Sequence, residues 1–269
     1  MTRDAPDSAT IDSMPRGGPD ASWFDRRLQT DRREYLDRYD VPDERKQRIV
    51  AYLDRVGERT GHHKCNAQLV LEQIAGIVNP QILELGAGHG KLSAYILALH
   101  PTAEVTVTDL DPKSVATIEA GPLGAHTRAT AKVTDATGID APDHSYDLVV
   151  FASAFHHLPP RAAHRAIAEA TRAGKQFLVF DLQRPPSIAA ALLPLLILIP
   201  AIVLVLANSS PAAVFPVLHD AYISMLRSYS KSAFTALGAA ADPAITVEFV
   251  PTKRQVAVIY TNPRAGSPS

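Results

Sequence analysis

Two adjacent histidines, His156 and His157, follow an apolar run at Leu148–Ala152, and Asp181 follows another at Phe177–Phe180. Histidine titrates near neutrality and can take the proton of a hydroxyl group. An acid bonded to the imidazole fixes its tautomer and steadies the charged form. His157 reads as the base, with His156 beside it and Asp181 as the orienting acid. A second group of residues suits ligand binding. Gly86, Gly88 and Gly90 lie within Gln81–Ser93, where they let the backbone turn sharply and approach a bound molecule. Glu84 stands just before them, and a carboxylate there repels phosphates and favours a cationic ligand. The glycines run Gly-x-Gly-x-Gly, which is not the spacing that cradles a dinucleotide pyrophosphate.

These residues need a frame, and the chain alternates strand and helix as a parallel sheet requires. Ile82, Leu83 and Leu85 form a short apolar run, and Leu92, Ile96 and Leu99 recur at helical spacing before Pro101. Glu104–Thr108 reads as strand two, ending at Asp109-Leu110-Asp111-Pro112, where Asp111 caps the next helix. Ala131–Thr134 reads as strand three, leading to Asp135-Ala136. Leu148–Ala152 is strand four, and Pro159 or Pro160 opens a helix that Gly174 stops. Phe177–Phe180 is strand five. The predicted fold is α/β, a doubly wound, Rossmann-like sheet, whose chemistry lies at the carboxyl ends of the strands. His156, His157 and Asp181 share that rim.

At Glu84-Leu85-Gly86-Ala87-Gly88-His89-Gly90 the chain resembles the class I S-adenosylmethionine-dependent methyltransferases, whose first motif is Glu-Leu-Gly-x-Gly-x-Gly. Asp109-Leu110-Asp111-Pro112, Asp135-Ala136 and Ser145-Tyr146-Asp147 with its strand extend the resemblance over roughly residues 60–182. It implies a seven-stranded sheet whose last strand is antiparallel, and S-adenosyl-L-methionine as cofactor, a sulfonium that carries an ammonium group. It implies that Asp109 accepts from both ribose hydroxyls. Asp135 would accept from the adenine amino group while the Ala136 N–H meets a ring nitrogen. Glu84, Gly86, Ala87, Gly88, Gly90, Leu110 and Ser153 complete the implied cofactor site. Many small-molecule methyltransferases carry a segment like His156-His157-Leu158. In some that act on hydroxyl groups, a histidine there and an acid after strand five serve as base and orienting partner. The reading is therefore O-methylation. The alternatives are C- or N-methylation on the same fold, or a non-catalytic cofactor-binding module that docks a membrane or partner. A nicotinamide-dependent reductase is opposed by Glu84 and by the glycine spacing.

With 27 basic and 28 acidic residues, the net charge of −1 points to no nucleic-acid partner. The single cysteine, Cys65, excludes an internal disulfide framework and fits a reducing, cytoplasmic setting; it reads as a small core residue. The first residues lack the apolar region of a signal peptide. Residues 1–21 read as a disordered tail and 22–80 as an N-terminal helical cap. In the cap, Trp23, Phe24, Leu28, Tyr35, Leu36 and Tyr39 are expected anchors on a charged helix. Ile49, Leu53 and Val56 mark one buried stripe, and Val70, Ile74 and Ile77 another. His62, His63 and Asn66 are candidate pocket residues. Residues 81–184 form the cofactor-binding core. No metal site is expected, since the histidines are not interleaved with cysteines and the acids near His156 lack ligand spacing.

Residues 185–218 carry no Asp, Glu, Lys or Arg, and 188–207 are almost wholly apolar, long enough to meet the ~20-residue requirement for crossing a bilayer. Pro194 and Pro200 interrupt the run. One crossing would separate the last elements from the first five strands. A re-entrant or membrane-surface segment on the inner face, or a soluble lid or dimer patch, keeps them together. Each points to a hydrophobic small-molecule acceptor: a lipid, an alkylphenol or a quinol. Residues 219–263 complete the core sheet, with a helix over His219–Ala240 and strands at Ile245–Val250 and Gln255–Tyr260; Tyr222 and Tyr229 lie near the pocket or are ordinary half-buried tyrosines. Residues 264–269 read as a tail. The oligomeric state does not follow from the sequence.

Overall fold

The computed structural model describes residues 11–186, 211–252 and 255–263, with the backbone alone at 211–215. The expected apolar run at 188–207, the tail at 264–269 and residues 1–10 lie outside the described residues. The elements, in chain order, begin with α1 (Trp23–Leu28), a 3-10 turn (Tyr35–Asp37), α2 (Asp43–Arg59) and α3 (His62–Gln73). The core follows as β1 (Gln81–Leu85), α4 (Lys91–Leu99), β2 (Glu104–Asp109), α5 (Pro112–Ala120), β3 (Ala129–Val133), β4 (Leu148–Ala152), α6 (Pro160–Ala173) and β5 (Gln176–Asp181). The chain ends with α7 (Pro211–Arg227), α8 (Lys231–Ala241), β6 (Thr246–Val250) and β7 (Val256–Thr261).

The seven strands form one sheet in the order β3-β2-β1-β4-β5-β7-β6. The first five are parallel, and β7 runs antiparallel to both β5 and β6. Strand order reverses between β1 and β4, which pair through Ile82↔Leu148 and Leu85↔Phe151. In folds of this kind the ligand crevice lies beyond the carboxyl ends of two such strands.

Both faces of the sheet are apolar, because successive residues of a strand point to opposite sides. Leu83, Leu85, Val149, Phe151, Phe177 and Val179 pack with α6 and α8. Ile82, Val105, Val107, Leu148, Val150 and Phe180 pack with α3 and α4. Phe155, just past β4, is fully buried, with Phe151, Phe177, Tyr229 and Phe234 rings 5.6–6.4 Å from its own. Replacing Phe155 by alanine is expected to cost about 3–5 kcal/mol of stability, measured by denaturant unfolding with an unchanged m-value.

Several expectations are corrected. Residues 11–21 are not a disordered tail: Ile11 and Met14 enter the core, and Arg16 is buried by hydrogen bonds to His156 and Arg227 carbonyls. The cap segment is not one helix, since α1 ends at Leu28 and a 3-10 turn follows at Tyr35. Trp23 and Tyr39 are exposed, as are Leu53 and Val56; α2 buries Ile49 but turns much of its expected stripe to solvent. Cys65 is exposed, not a core residue. The C-terminal helix is two helices: α7 begins inside the expected 185–218 insertion, and Ser230, accepting from the Ala233 N–H, starts α8. Tyr229 is fully buried, its hydroxyl donating to the Leu158 carbonyl at 2.7 Å, so it supports the core. Among the described residues, no helix is long and apolar enough to cross a membrane.

Candidate active site

The glycine loop leaves β1 with φ of +60° at Gly86, +58° at Gly88 and +73° at Gly90, the left-handed region that favours glycine. A Cβ at Gly86 would lie 2.7 Å from the Phe151 ring, and one at Gly90 2.4 Å from Leu123. The loop is tied down from both sides. The Ala87 N–H donates to the Thr108 carbonyl at 2.8 Å, and the Gly88 N–H donates to Asp109 Oδ2 at 2.8 Å. Asp109 Oδ1 accepts from the Asp111 N–H at 2.9 Å. Burial pushes the Asp109 carboxyl up, against the pull of these backbone donors. Asp111 caps α5 by accepting from the Lys113 N–H, as expected.

Glu84 sits beneath the loop, not at its surface. It is buried, and Oε2 accepts from the Ser93 N–H at 3.0 Å and from the Ser93 hydroxyl. Burial lifts its carboxyl to about 7, with the Ser93 donors opposing and Asp109 adding to the rise. A folded-state value above the ordinary 4.5 favours the protonated form. That contribution to stability is full below about 4.5 and is lost as pH rises through about 7. The protein without cofactor is expected to lose on the order of 3 kcal/mol across this window, at about 1.4 kcal/mol per pH unit. Glu84→Gln flattens the loss, which melting temperatures from pH 4 to 8 would show.

The helical cap closes on the loop. His89 lies between Asp54 (2.8 Å) and Gln47 (2.7 Å) of α2, and the Gln47 amide also donates to Asp111 at 3.2 Å. Of the candidate cap residues, His62 reaches Ser153 at 3.4 Å and Asn66 accepts from Gln255 at 2.6 Å. His63 instead packs against Gly57. Ser153 itself adopts φ +58°, an uncommon conformation for a side-chain-bearing residue, where β4 meets the crevice. Leu110 and Asp135 are exposed at the same rim; Asp135 accepts from Thr137, and Ala136 packs against the core.

At the other side of the crevice the two histidines take different partners from the one expected. Asp181 binds His156, not His157: Oδ1 meets Nδ1 at 2.7 Å and Oδ2 accepts the His156 N–H at 2.6 Å. His157 Nδ1 pairs with Asp37, 2.9 Å from each oxygen. The Nε2 atoms of both rings face one carboxylate, Glu34, at 3.4 and 3.6 Å. Arg227 grips Asp37 at 2.6 Å and donates to the His157 carbonyl at 2.6 Å. Ser224 donates to Glu34 at 2.9 Å. Burial pulls His156 down, but Asp181 and then Glu34 outweigh it and lift the imidazole to about 9. Asp37 is held well below the usual carboxylate range: burial opposes this, and His157 and Arg227 prevail.

Sequence reasoning missed Glu34, Asp37, Ser224, Arg227 and Arg16. Glu34 and Asp37 stand three apart in the charged segment before α2, a spacing that could have drawn notice. Their proximity to residues about 120 positions later is a product of tertiary folding.

A doubly wound sheet with a glycine loop at its switch point and an acid closing β2 is the arrangement in which such folds hold nucleosides. The loop's open turns, the Asp109 carboxylate and the exposed Asp135 carboxylate fit a ribose, an adenine and a cationic tail. The family described as "Methyltransferase domain" matches residues 82–176. That match supports the reading of a class I S-adenosylmethionine-dependent methyltransferase with S-adenosylmethionine as its cofactor. Among solved structures it is similar to the plantazolicin methyltransferase BpumL in complex with SAH, at 13% identity and a TM-score of 0.59, over 95% of this chain and 97% of that one. It is also similar to an O-methyltransferase family protein from Burkholderia thailandensis, at 15% identity and a TM-score of 0.55, over 82% of this chain and 60% of that one. At these identities the likeness establishes the fold. Among curated proteins, no sequence matches the chain.

Proposed function

We propose that this methyltransferase transfers its methyl group to the oxygen of a hydrophobic small molecule, such as a lipid, an alkylphenol or a quinol. The observation that carries this reading is the pair of imidazoles just past the carboxyl end of β4, each backed by its own carboxylate. S-adenosylmethionine, when bound, supplies an electrophilic methyl group, so the protein's work is to position the acceptor and remove its proton. An alcohol or phenol must lose a proton, whereas a nitrogen acceptor is usually already neutral. His156 is sequestered and acts by holding the cluster together. His157 is half-buried and faces the rim, so the acceptor hydroxyl is placed there. Gly86, Ala87, Gly88 and Gly90 line the cofactor's side of the crevice, and Asp109, Leu110, Asp135, Ala136 and Ser153 border its nucleoside end. Glu84 supports the loop from below.

Hydrophobicity of the acceptor rests on the chain that leaves the rim after β5 and returns through α7. Its residues 187–210 carry no charge. Arg184 anchors the departing end, pairing with Asp25 at 2.8 Å and donating to the Leu226 and Ser228 carbonyls at 2.9 Å. The same uncharged stretch suits contact with a membrane surface from which a lipid-soluble acceptor is drawn. Radiolabelled S-adenosylmethionine, offered with alkylphenols, quinols and a lipid extract, should pass label into an organic-soluble product, more efficiently with liposomes present. Label confined to water-soluble products would contradict the reading.

A further inference from the structure

We propose that Glu34, His156 and His157 together bind a divalent transition-metal cation such as Zn²⁺. The ligand atoms are His156 Nε2, His157 Nε2 and the Glu34 carboxylate, which all lie within 4.8 Å of one another. Two imidazoles and one carboxylate, with a further position open, is a donor set that suits such an ion.

Three features of the cluster support this. The first is spacing. Each Nε2 stands 3.4 or 3.6 Å from a Glu34 oxygen, while the Nδ1 contacts on Asp181 and Asp37 are 2.7 and 2.9 Å. A direct charge-assisted N–H···O contact closes to about 2.7–2.9 Å. Two metal bonds of about 2.0–2.1 Å at a tetrahedral angle hold their ligand atoms about 3.3–3.4 Å apart. The second is orientation. Asp181 and Asp37 engage the Nδ1 atoms, which leaves Nε2 as the nitrogen each ring presents to Glu34, where a cation would take the place of hydrogen; carboxylates behind ligating histidines commonly orient them this way. The third is support of the acid. Ser224 fixes Glu34, and Arg227 stays 3.9 Å away because it is committed to Asp37 at 2.6 Å. Glu34 and His156 are buried, while His157 is partly open to the crevice, leaving an approach for an acceptor oxygen.

The ion's role rests on the O-methylation reading; its binding does not. An acceptor hydroxyl placed beside the cation becomes more acidic. With the ion in place His157 would act through the cation in place of taking the proton itself: the proton would pass to solvent through the open side, and the oxygen lone pair would form the bond to the methyl carbon as the carbon–sulfur pair returns to sulfur.

The test is metal binding by the full chain, stripped with chelator, titrated with Zn²⁺ by calorimetry and with Co²⁺ by visible absorption. One equivalent should bind, with the intense absorption of low-coordinate Co²⁺, and Glu34→Gln and His157→Ala should each weaken affinity at least about tenfold, the range seen on losing even a supporting group. His126→Ala, far from the cluster, should bind as the parent does. Glu34→Gln retains shape, and circular dichroism with melting would confirm that it is folded. No stoichiometric binding by the parent, or equal binding by both cluster variants, would overturn the proposal. Oxygen methylation without metal binding sinks this inference alone; metal binding with methyl on carbon or nitrogen sinks the O-methylation reading alone.

Discussion

His157→Ala is expected to lower turnover by about a hundredfold or more, the scale of losing a positioned proton-transfer group, while S-adenosylmethionine affinity stays unchanged. The separation follows from where the residue sits. His157 lies past β4, with Asp37, Glu34 and Arg227 around it, and among the described residues it makes no hydrogen bond or ion pair to the glycine loop. Its side chain is only partly buried, so its removal costs little core packing compared with Phe155. His156→Ala is a poorer probe, because it strands the buried Asp181 carboxylate and unfolding would mask the chemistry. Rapid-quench turnover and equilibrium binding on the same preparation would separate the two effects. Unchanged turnover in His157→Ala would remove the cluster from the chemistry.

Asp109→Ala should show the opposite pattern, losing cofactor affinity by about a hundredfold or more. Its carboxylate already accepts two backbone N–H groups, from Gly88 and Asp111, and the two ribose hydroxyls are its expected further donors. Hydrogen bonds to a charged group are worth about 1.5–3 kcal/mol each, and about 1.4 kcal/mol is tenfold in affinity. Two such bonds reach the hundredfold loss before the loop's own disorder is counted. Asp109→Asn retains one acceptor oxygen and should fall between the parent and the alanine variant. Calorimetric titration with S-adenosylmethionine checks both; parent-like affinity in Asp109→Ala would show that the ribose is held elsewhere.

The sequence made the cofactor half of this site readable because its parts are local. A strand, three glycines and a helix are contiguous between Gln81 and Leu99, Asp109 ends β2, and Asp135 follows β3 by two residues. Apolar runs at Leu148–Ala152 and Phe177–Phe180 likewise placed the histidines and Asp181 on one rim, and the sheet order agrees. The acceptor half was not readable in the same way. Which histidine Asp181 would bind depends on the 3-10 turn at Phe155–His157, which buries His156 and turns His157 outward. Glu34 and Asp37 come from a segment so charged that it read as solvated, and Arg16 from one that read as disordered. Their charges are satisfied by groups distant in sequence, so composition alone misjudged them. Leu53 and Val56 failed in the other direction, since periodic apolar residues on a covering helix need not meet a core.

The most direct test of the account is the position of the transferred methyl group. The full chain would be supplied with S-adenosylmethionine carrying a ¹³C-methyl group and the acceptor found in the lipid-extract assay, and the product read by carbon–proton correlation spectroscopy. The account predicts a methyl bonded to oxygen, abundant with the parent and nearly absent with His157→Ala. A methyl bonded to carbon or nitrogen, or the same oxygen-bound yield from both proteins, would contradict it.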